Sequence, residues 1–370
     1  MSFRLTAAAP ALLLITLGAA ACGAPEPPEQ QPPSGRSADA APPVLTADQI
    51  ETGVPRPVPS SPAGGPPPAA YAPDPGLVRL QILLDRSPFS PGVIDGLAGD
   101  NTRQAIAAWR KAMGPGEGDA ADAAVLQRLA AADTAPVMTR YVLTAADLAG
   151  PFSPPPGADL AAQAAGGARY SSARERLAER FHVTEALLQG LNPGVDFRRP
   201  GQTIVVPAVA DRPLGEVARI VVDKSDRSAR AFDASGRLLA FYPATIGSSE
   251  RPAPSGTLRV VGVANEPDYT YDPARLSYDR GDRKVVVPAG PNNPVGSVWI
   301  ELSRDSYGIH GTPDPSKIAK TASNGCIRLT NWDAEQLAAS VKPGVEVRFI
   351  QPPPSPAAGE GRAQQKAPPE

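Results

Sequence analysis

Apolar positions along this chain change their period twice. In residues 77–114 they recur at helical spacing, with Leu77, Leu80, Leu83 and Leu84 on one face of a first helix. "DGLAGDNT" then supplies loop chemistry, and Thr102 is placed to cap a second helix whose apolar face includes Ile106 and Trp109. Residues 169–207 again read as helices, "ARERLAERF" and "TEALLQGLN", joined by His182-Val183 and followed by the β-branched run "TIVVP". From Glu216 onward the pattern becomes that of strands: "VARIVVD", "ARAFD", "LLAFYPATIG", "GTLRVVGVA", "SVWIELS", "YGIHG" and "VEVRFI", separated by turn residues. One helix interrupts them at "TNWDAEQLAASV", with Thr330 as cap and Asp333 in its first turn. The expectation is a multidomain chain: a small all-α unit over 77–132, a small α/β unit over 137–208 and a mostly-β domain over 216–350.

Composition changes the picture at the ends. Much of the chain's 46 prolines lies in residues 24–76 and 351–370, which are also rich in Ala, Gly and polar residues. Such segments have little apolar surface to set against the entropy of ordering, so 23–76 reads as a disordered linker and 351–370 as a disordered tail. The net charge is −2 and no basic stripe is present, which argues against a nucleic-acid partner.

The first 22 residues place Arg4 before an apolar run that ends in "AAAC". That run is too short for a membrane span and reads as a signal peptide. Cys22 after small residues resembles a bacterial lipoprotein processing site, although Ala19 stands where Leu is usual. The resemblance implies a periplasmic protein with a lipid anchor in the outer membrane as its sole membrane contact; the same stretch also fits ordinary cleavage after Ala21.

Cys326, in "TASNGCIRLTNW", is the chain's other cysteine. With Cys22 at a terminus it has no partner for a disulfide in an oxidising compartment. Zinc lacks a ligand set, because His182 and His310 are the sole histidines and no cofactor is otherwise called for. A thiol acts as a nucleophile when a neighbouring imidazole can take its proton. His310 lies one short segment away, whereas His182 belongs to another unit, where it reads as a cap or contact residue. This pairing predicts a depressed thiol pKa. Gly325 permits a sharp turn and would leave backbone N–H groups free for an oxyanion.

Three family resemblances follow from these stretches. "RLQILLD" with "GVIDGLAGDNTRQAIAAW" resembles the three-helix peptidoglycan-binding domain. "LAERFHVTEALLQGLNP" with "PGQTIVVP" resembles a LysM-type glycan-binding module, with "SSARE" in place of the usual Gly-Asp pair. Both modules would tether the protein to wall glycan and raise local concentration without touching the chemical step. Residues 216–350 resemble the L,D-transpeptidase catalytic domain family through His310-Gly311-Thr312, Ser323, Gly325, Cys326, Ile327 and Arg328, and through "AGPNNPVG" at 289–296. Asn324 replaces a histidine that many members carry.

What this last resemblance implies is a β-sandwich-like domain that acts on peptidoglycan stem peptides in cell-wall biogenesis. Cys326 would attack a tetrapeptide, expel D-Ala and pass the acyl group to an amine. His310 would be base and then acid, oriented by the backbone carbonyl of Gly311, with the Gly325 and Cys326 N–H groups holding the oxyanion. Arg328 would hold a substrate carboxylate or buttress the loop. Ser323, Asn324, Tyr307 and Thr312 complete the binding set, with Ser323 and Tyr307 lining the pocket or holding it. The acceptor is open among a stem-peptide amine, a protein lysine, a free D-amino acid and water, the last making an L,D-carboxypeptidase. A non-catalytic wall-binding protein is the other class. Residues 265–287, rich in Tyr, Asp and Arg, read as a lid over the site.

Overall fold

The computed structural model describes residues 45–56, 73–114, 117–155, 157, 159–210, 212–248, 251–274 and 281–351. The signal peptide with Cys22, most of the linker and the tail lie outside the described residues.

The chain first builds helices. α1 (Ala47–Thr52) is closed by a capping box between Thr46 and Gln49, and its Ile50 is fully buried. This helix sits inside the segment expected to be disordered: a short apolar pair, Leu45 and Ile50, with an N-cap sufficed to dock it on the next helix. α2 (Pro75–Arg86) starts on the Asp74 cap and buries Leu77, Leu80, Leu83 and Leu84. α3 (Asp100–Met113) begins at Gly99 without a side-chain cap. Thr102 is therefore not the cap; its hydroxyl instead accepts from buried Gln81 Nε2 at 3.1 Å. Gln81 also accepts from the Asp95 and Gly96 N–H groups, at 3.2 and 2.8 Å, which fixes the turn between the two helices. α4 (Ala123–Ala132) completes this unit.

β1 (Met138–Val142) leads through α5 (Ala145–Leu148) and α6 (Leu160–Gly166) to α7 (Ala173–Arg180) and α8 (Glu185–Leu191), and β2 (Thr203–Pro207) returns antiparallel to β1. Ser172 and Thr184 cap α7 and α8 through the Glu175 and Leu187 N–H groups. Residues 138–207 thus pair two strands around four helices, with α5 and α6 directly after the first strand.

The remainder is β3 (Arg219–Asp223), β4 (Ser228–Phe232), β5 (Leu238–Pro243), β6 (Gly256–Asn265), β7 (Tyr269–Tyr271), β8 (Val285–Val287), β9 (Val298–Leu302), β10 (Gly308–His310), β11 (Ile327–Arg328), α9 (Asn331–Ala338) and β12 (Glu346–Ile350). Eight of these strands form one sheet in the order β11-β10-β9-β6-β12-β3-β4-β5. The sandwich-like expectation is corrected in form: the sheet is single and curled. β6 makes the bend, pairing with β12 through Gly256–Arg259 and with β9 beyond a register shift between Val260 and Gly262. The curl brings the chain after β5 back to β11, where Thr245 and Arg328 exchange N–H···O bonds of 2.9 Å.

The upstream units pack against the strand domain. α1–α4, β1, α7, α8 and β2 share a single hydrophobic core, and Phe241 of β5 is part of it. A bridge joins Phe89 to Phe241, His182 stacks on Trp332 of α9 at 4.6 Å, and Ser90 donates to Asp333 at 2.9 Å. Periodicity marks which face of a helix is apolar, not which neighbour covers it. The expected lid is likewise anchored. β7 and β8 pair as a hairpin, and buried Tyr271 and Val287 pack with Leu160 and Ala168 around α6. Its residues 275–280 lie outside the described residues.

Candidate active site

β10 and β11 run parallel, with Ile309 opposite Ile327 and His310 opposite Arg328. Cys326 immediately precedes β11. Side chains alternate along a strand, so Cys326 and Arg328 share the face that carries His310. All three line a cleft of about 1230 Å³ with Trp299, Tyr307 and Thr312.

The environment decides the protonation states. His310 is 3% exposed, and its Nδ1 lies 2.7 Å from the Gly311 carbonyl. Nδ1–H donates there, which leaves Nε2 as the acceptor nitrogen. Burial, reinforced by the Arg328 charge, pushes the imidazole pKa down to about 3. The Cys326 thiol is pushed up by burial, against the smaller opposing effects of the Gly308 N–H and Arg328. It is directed at the Ser306 carbonyl, 3.5 Å away. The depressed thiol expected from the pairing is therefore corrected: the resting pair is neutral thiol and neutral imidazole, because desolvation opposes the charged form of each. The sulfhydryl alkylation rate is accordingly expected to rise with pH through a midpoint above the ~8.5 of a free cysteine. Iodoacetamide kinetics across pH would check this, and a midpoint below 8 would overturn it.

The turn before Cys326 is held by Ser323. Its Oγ donates to the Cys326 carbonyl at 2.5 Å and accepts from Gly325 N–H at 3.2 Å. The Gly325 N–H is thus engaged by Ser323 in this structure. Gly325 is needed for another reason: its φ is +111°, and a Cβ there would stand 2.9 Å from the Tyr307 ring. Tyr307 covers the turn, and the Arg304 guanidinium lies over its ring at 4.8 Å. Ser323 and Tyr307 hold the loop. Asn324 is exposed and accepts from Arg251 at 2.9 Å through Oδ1. Thr312 is buried, and its Oγ1 accepts from the Asp314 N–H at 3.3 Å.

Two contributors escaped sequence reasoning. Trp299, opposite His310 on β9, stacks on its ring at 5.5 Å. Asn331, read only as part of a helix, is buried and branches in four directions. Its Oδ1 accepts from Thr312 N–H at 2.9 Å and Ser297 N–H at 3.3 Å, while Nδ2 donates to Glu179 at 2.8 Å and to the Pro291 carbonyl at 3.2 Å. Asn331 approaches Gly311 so closely that a Cβ on Gly311 would lie 2.0 Å from Oδ1. A polar residue directly after an N-cap is unremarkable in sequence, so no local signal marked it. The "PNNP" stretch has equally definite work. Asn292 donates through Nδ2 to the Arg169 carbonyl and Glu175, both at 2.9 Å, and Asn293 donates to the Pro288 carbonyl at 2.9 Å. One asparagine docks the α6–α7 segment and the next secures the hairpin.

A thiol just before one strand and a neutral, oriented imidazole on its neighbour, opening on one cleft, define a site suited to acyl transfer through sulfur. Residues 217–349 match the family model described as L,D-transpeptidase catalytic domain, YkuD. The chain is 31% identical to the YkuD protein of Bacillus licheniformis over 175 residues, which are 47% of this chain and 90% of that one. It is 28% identical to YkuD of Bacillus subtilis over 46% of this chain and 89% of the relative. It is 33% identical to the ErfK/SrfK protein of Escherichia coli strain K12, over 44% of this chain and 54% of the relative. The chain belongs to the YkuD family of L,D-transpeptidases.

Proposed function

We propose that this protein is a peptidoglycan L,D-transpeptidase in which Cys326 is the nucleophile and His310 the base. The supporting observation is the neutral imidazole of His310, pinned at Nδ1 by the Gly311 carbonyl on the strand beside Cys326. The thiol proton passes to His310 Nε2 as Sγ attacks the carbonyl of the L-centre of the stem-peptide diamino acid. The tetrahedral oxyanion is held by the Cys326 N–H. His310 then protonates the departing D-Ala amine, and a thioester remains. An incoming amine gives a proton back to His310 as it resolves the thioester. Arg328, opposite His310, is one of several cations lining the cleft and would hold a substrate carboxylate or buttress the loop. A resting neutral pair spares the thiol from oxidation outside the cytoplasm, where substrate binding, not ionisation, would start the reaction.

The upstream units would bind wall glycan from the same body. Cys22 would anchor the protein by a lipid to the outer membrane, facing the periplasm. Among the described residues no helix is long and apolar enough to cross a membrane.

The test is mass spectrometry of muropeptides after incubation of tetrapeptide substrate with purified protein. Cross-linked products joined through the L-centre, with stoichiometric D-Ala, are the expected result. Tripeptide with D-Ala and no cross-link would make water the acceptor, and unchanged tetrapeptide would overturn the reading.

A further inference from the structure

The hydrogen bonds around His310 do not end inside the strand domain. Nδ1–H of His310 donates to the Gly311 carbonyl at 2.7 Å. The peptide after Gly311 donates, through Thr312 N–H, to Asn331 Oδ1 at 2.9 Å. Asn331 Nδ2 donates in turn to Glu179 Oε1 at 2.8 Å. Glu179 belongs to α7, 131 residues before His310 in the sequence and in the unit read as glycan-binding. Tyr170 donates to the same Oε1 at 3.2 Å. An amide whose two ends are both engaged cannot flip. Without an acceptor at Glu179, Asn331 has only the Pro291 carbonyl, at 3.2 Å, to hold its Nδ2.

We infer that Glu179 is a positioning residue for the proposed Cys326–His310 chemistry: it fixes the Asn331 amide, Asn331 fixes the Gly311–Thr312 peptide, and that peptide fixes the His310 ring and its tautomer. This inference rests on the reading of His310 as base. It makes the upstream α/β unit part of the active-site scaffold and not solely a wall anchor. Second neighbours of an imidazole set its tautomer in this way at metal sites, and their loss there costs 10–100-fold. Burial pushes the Glu179 carboxyl up to about 7. The position therefore accommodates the neutral form near physiological pH, of which glutamine is the closest mimic, with an amide oxygen still able to accept from Asn331.

The test compares Glu179→Ala, Glu179→Gln, Asn331→Ala and the Glu179→Ala/Asn331→Ala pair in the full chain. The readouts are the rate of acylation of Cys326 by a carbapenem, the reversible affinity for it, and the NMR resonances of the His310 ring. Glu179→Ala is expected to slow acylation about tenfold with affinity unchanged and to shift the His310 Nδ1 resonance. Glu179→Gln is expected to retain acylation within about threefold and the wild-type resonance, and the double variant to be no slower than Asn331→Ala. Should Glu179→Ala fail to fold, the resonance and rate of Glu179→Gln decide alone. A Glu179→Gln that loses acylation with an unmoved His310 resonance, or losses that add in the double variant, would overturn the inference. Cys326→Ala in parallel separates the two readings: if it is still acylated, the reading of the nucleophile fails, whatever Glu179 does.

Discussion

Cys326→Ala is expected to release no D-Ala from a tetrapeptide muropeptide, and His310→Ala to lose about 10²–10⁴-fold. Cys326 is the one thiol among the described residues, so nothing else there can form the thioester. The neutral resting pair makes His310 more, not less, necessary. The thiol is pushed up by burial, so the population already ionised at pH 7 is small and attack requires a proton acceptor within reach. His310, with a pKa near 3 in the resting state, gains basicity as negative charge develops on sulfur beside it. The two losses should not add, since the pair acts as a unit. His182→Ala should leave the chemistry of acylation intact, because its ring is spent on Trp332 and Asp85. D-Ala release by chromatography checks all three. Appreciable turnover by Cys326→Ala, or a His310→Ala variant as fast as wild type, would sink the assignment.

Excising residues 212–351 as a separate domain is expected to lower thermal stability sharply and to abolish or strongly slow acylation. The cut would expose Phe241, which is fully buried, at about 1.5–3 kcal/mol for such a ring. It would also leave Asn331 without Glu179 and Asn292 without Glu175 and the Arg169 carbonyl, each at about 1–3 kcal/mol if the group stays buried. Together these approach the 5–15 kcal/mol that holds a typical domain folded. A tether would behave differently, losing wall binding and keeping acylation of a soluble substrate. An excised domain with unchanged melting temperature and acylation rate would show that the upstream units are tethers after all. Calorimetry with a soluble acylating probe separates the outcomes.

Much of the secondary structure was legible because it is encoded locally. The strands from "VARIVVD" to "VEVRFI" are all present, as are α7, α8 and the Thr330-capped helix, whose cap accepts from Asp333 N–H at 3.2 Å. Where local reading failed, the competing effect was tertiary. Thr102 has the chemistry of a cap, but Gln81 claimed its hydroxyl from another helix. α1 lies in proline-rich sequence, where composition outweighed two apolar residues and a capping box. Asp333 was read simply as a first-turn acidic residue, yet burial, reinforced by the Asp85 charge, pushes its carboxyl up to about 7.

The proposed pair, Cys326 and His310, was legible from residue types and their spacing within one strand-turn-strand segment, which are local facts. The sequence by itself also determined the glycine at 325, because a backbone at φ +111° leaves few other choices. The state of that pair and the company it keeps depend on how the whole chain packs around it. Desolvation depends on how much of the molecule surrounds a group, and that quantity has no expression in neighbouring residues. The same holds for the contact between Asn331 and Glu179, 152 residues apart, and for the core that α1–α4, α7 and α8 share with Phe241. Apolar faces and polar groups announce that they need partners; which partner they find is settled by packing of the whole chain.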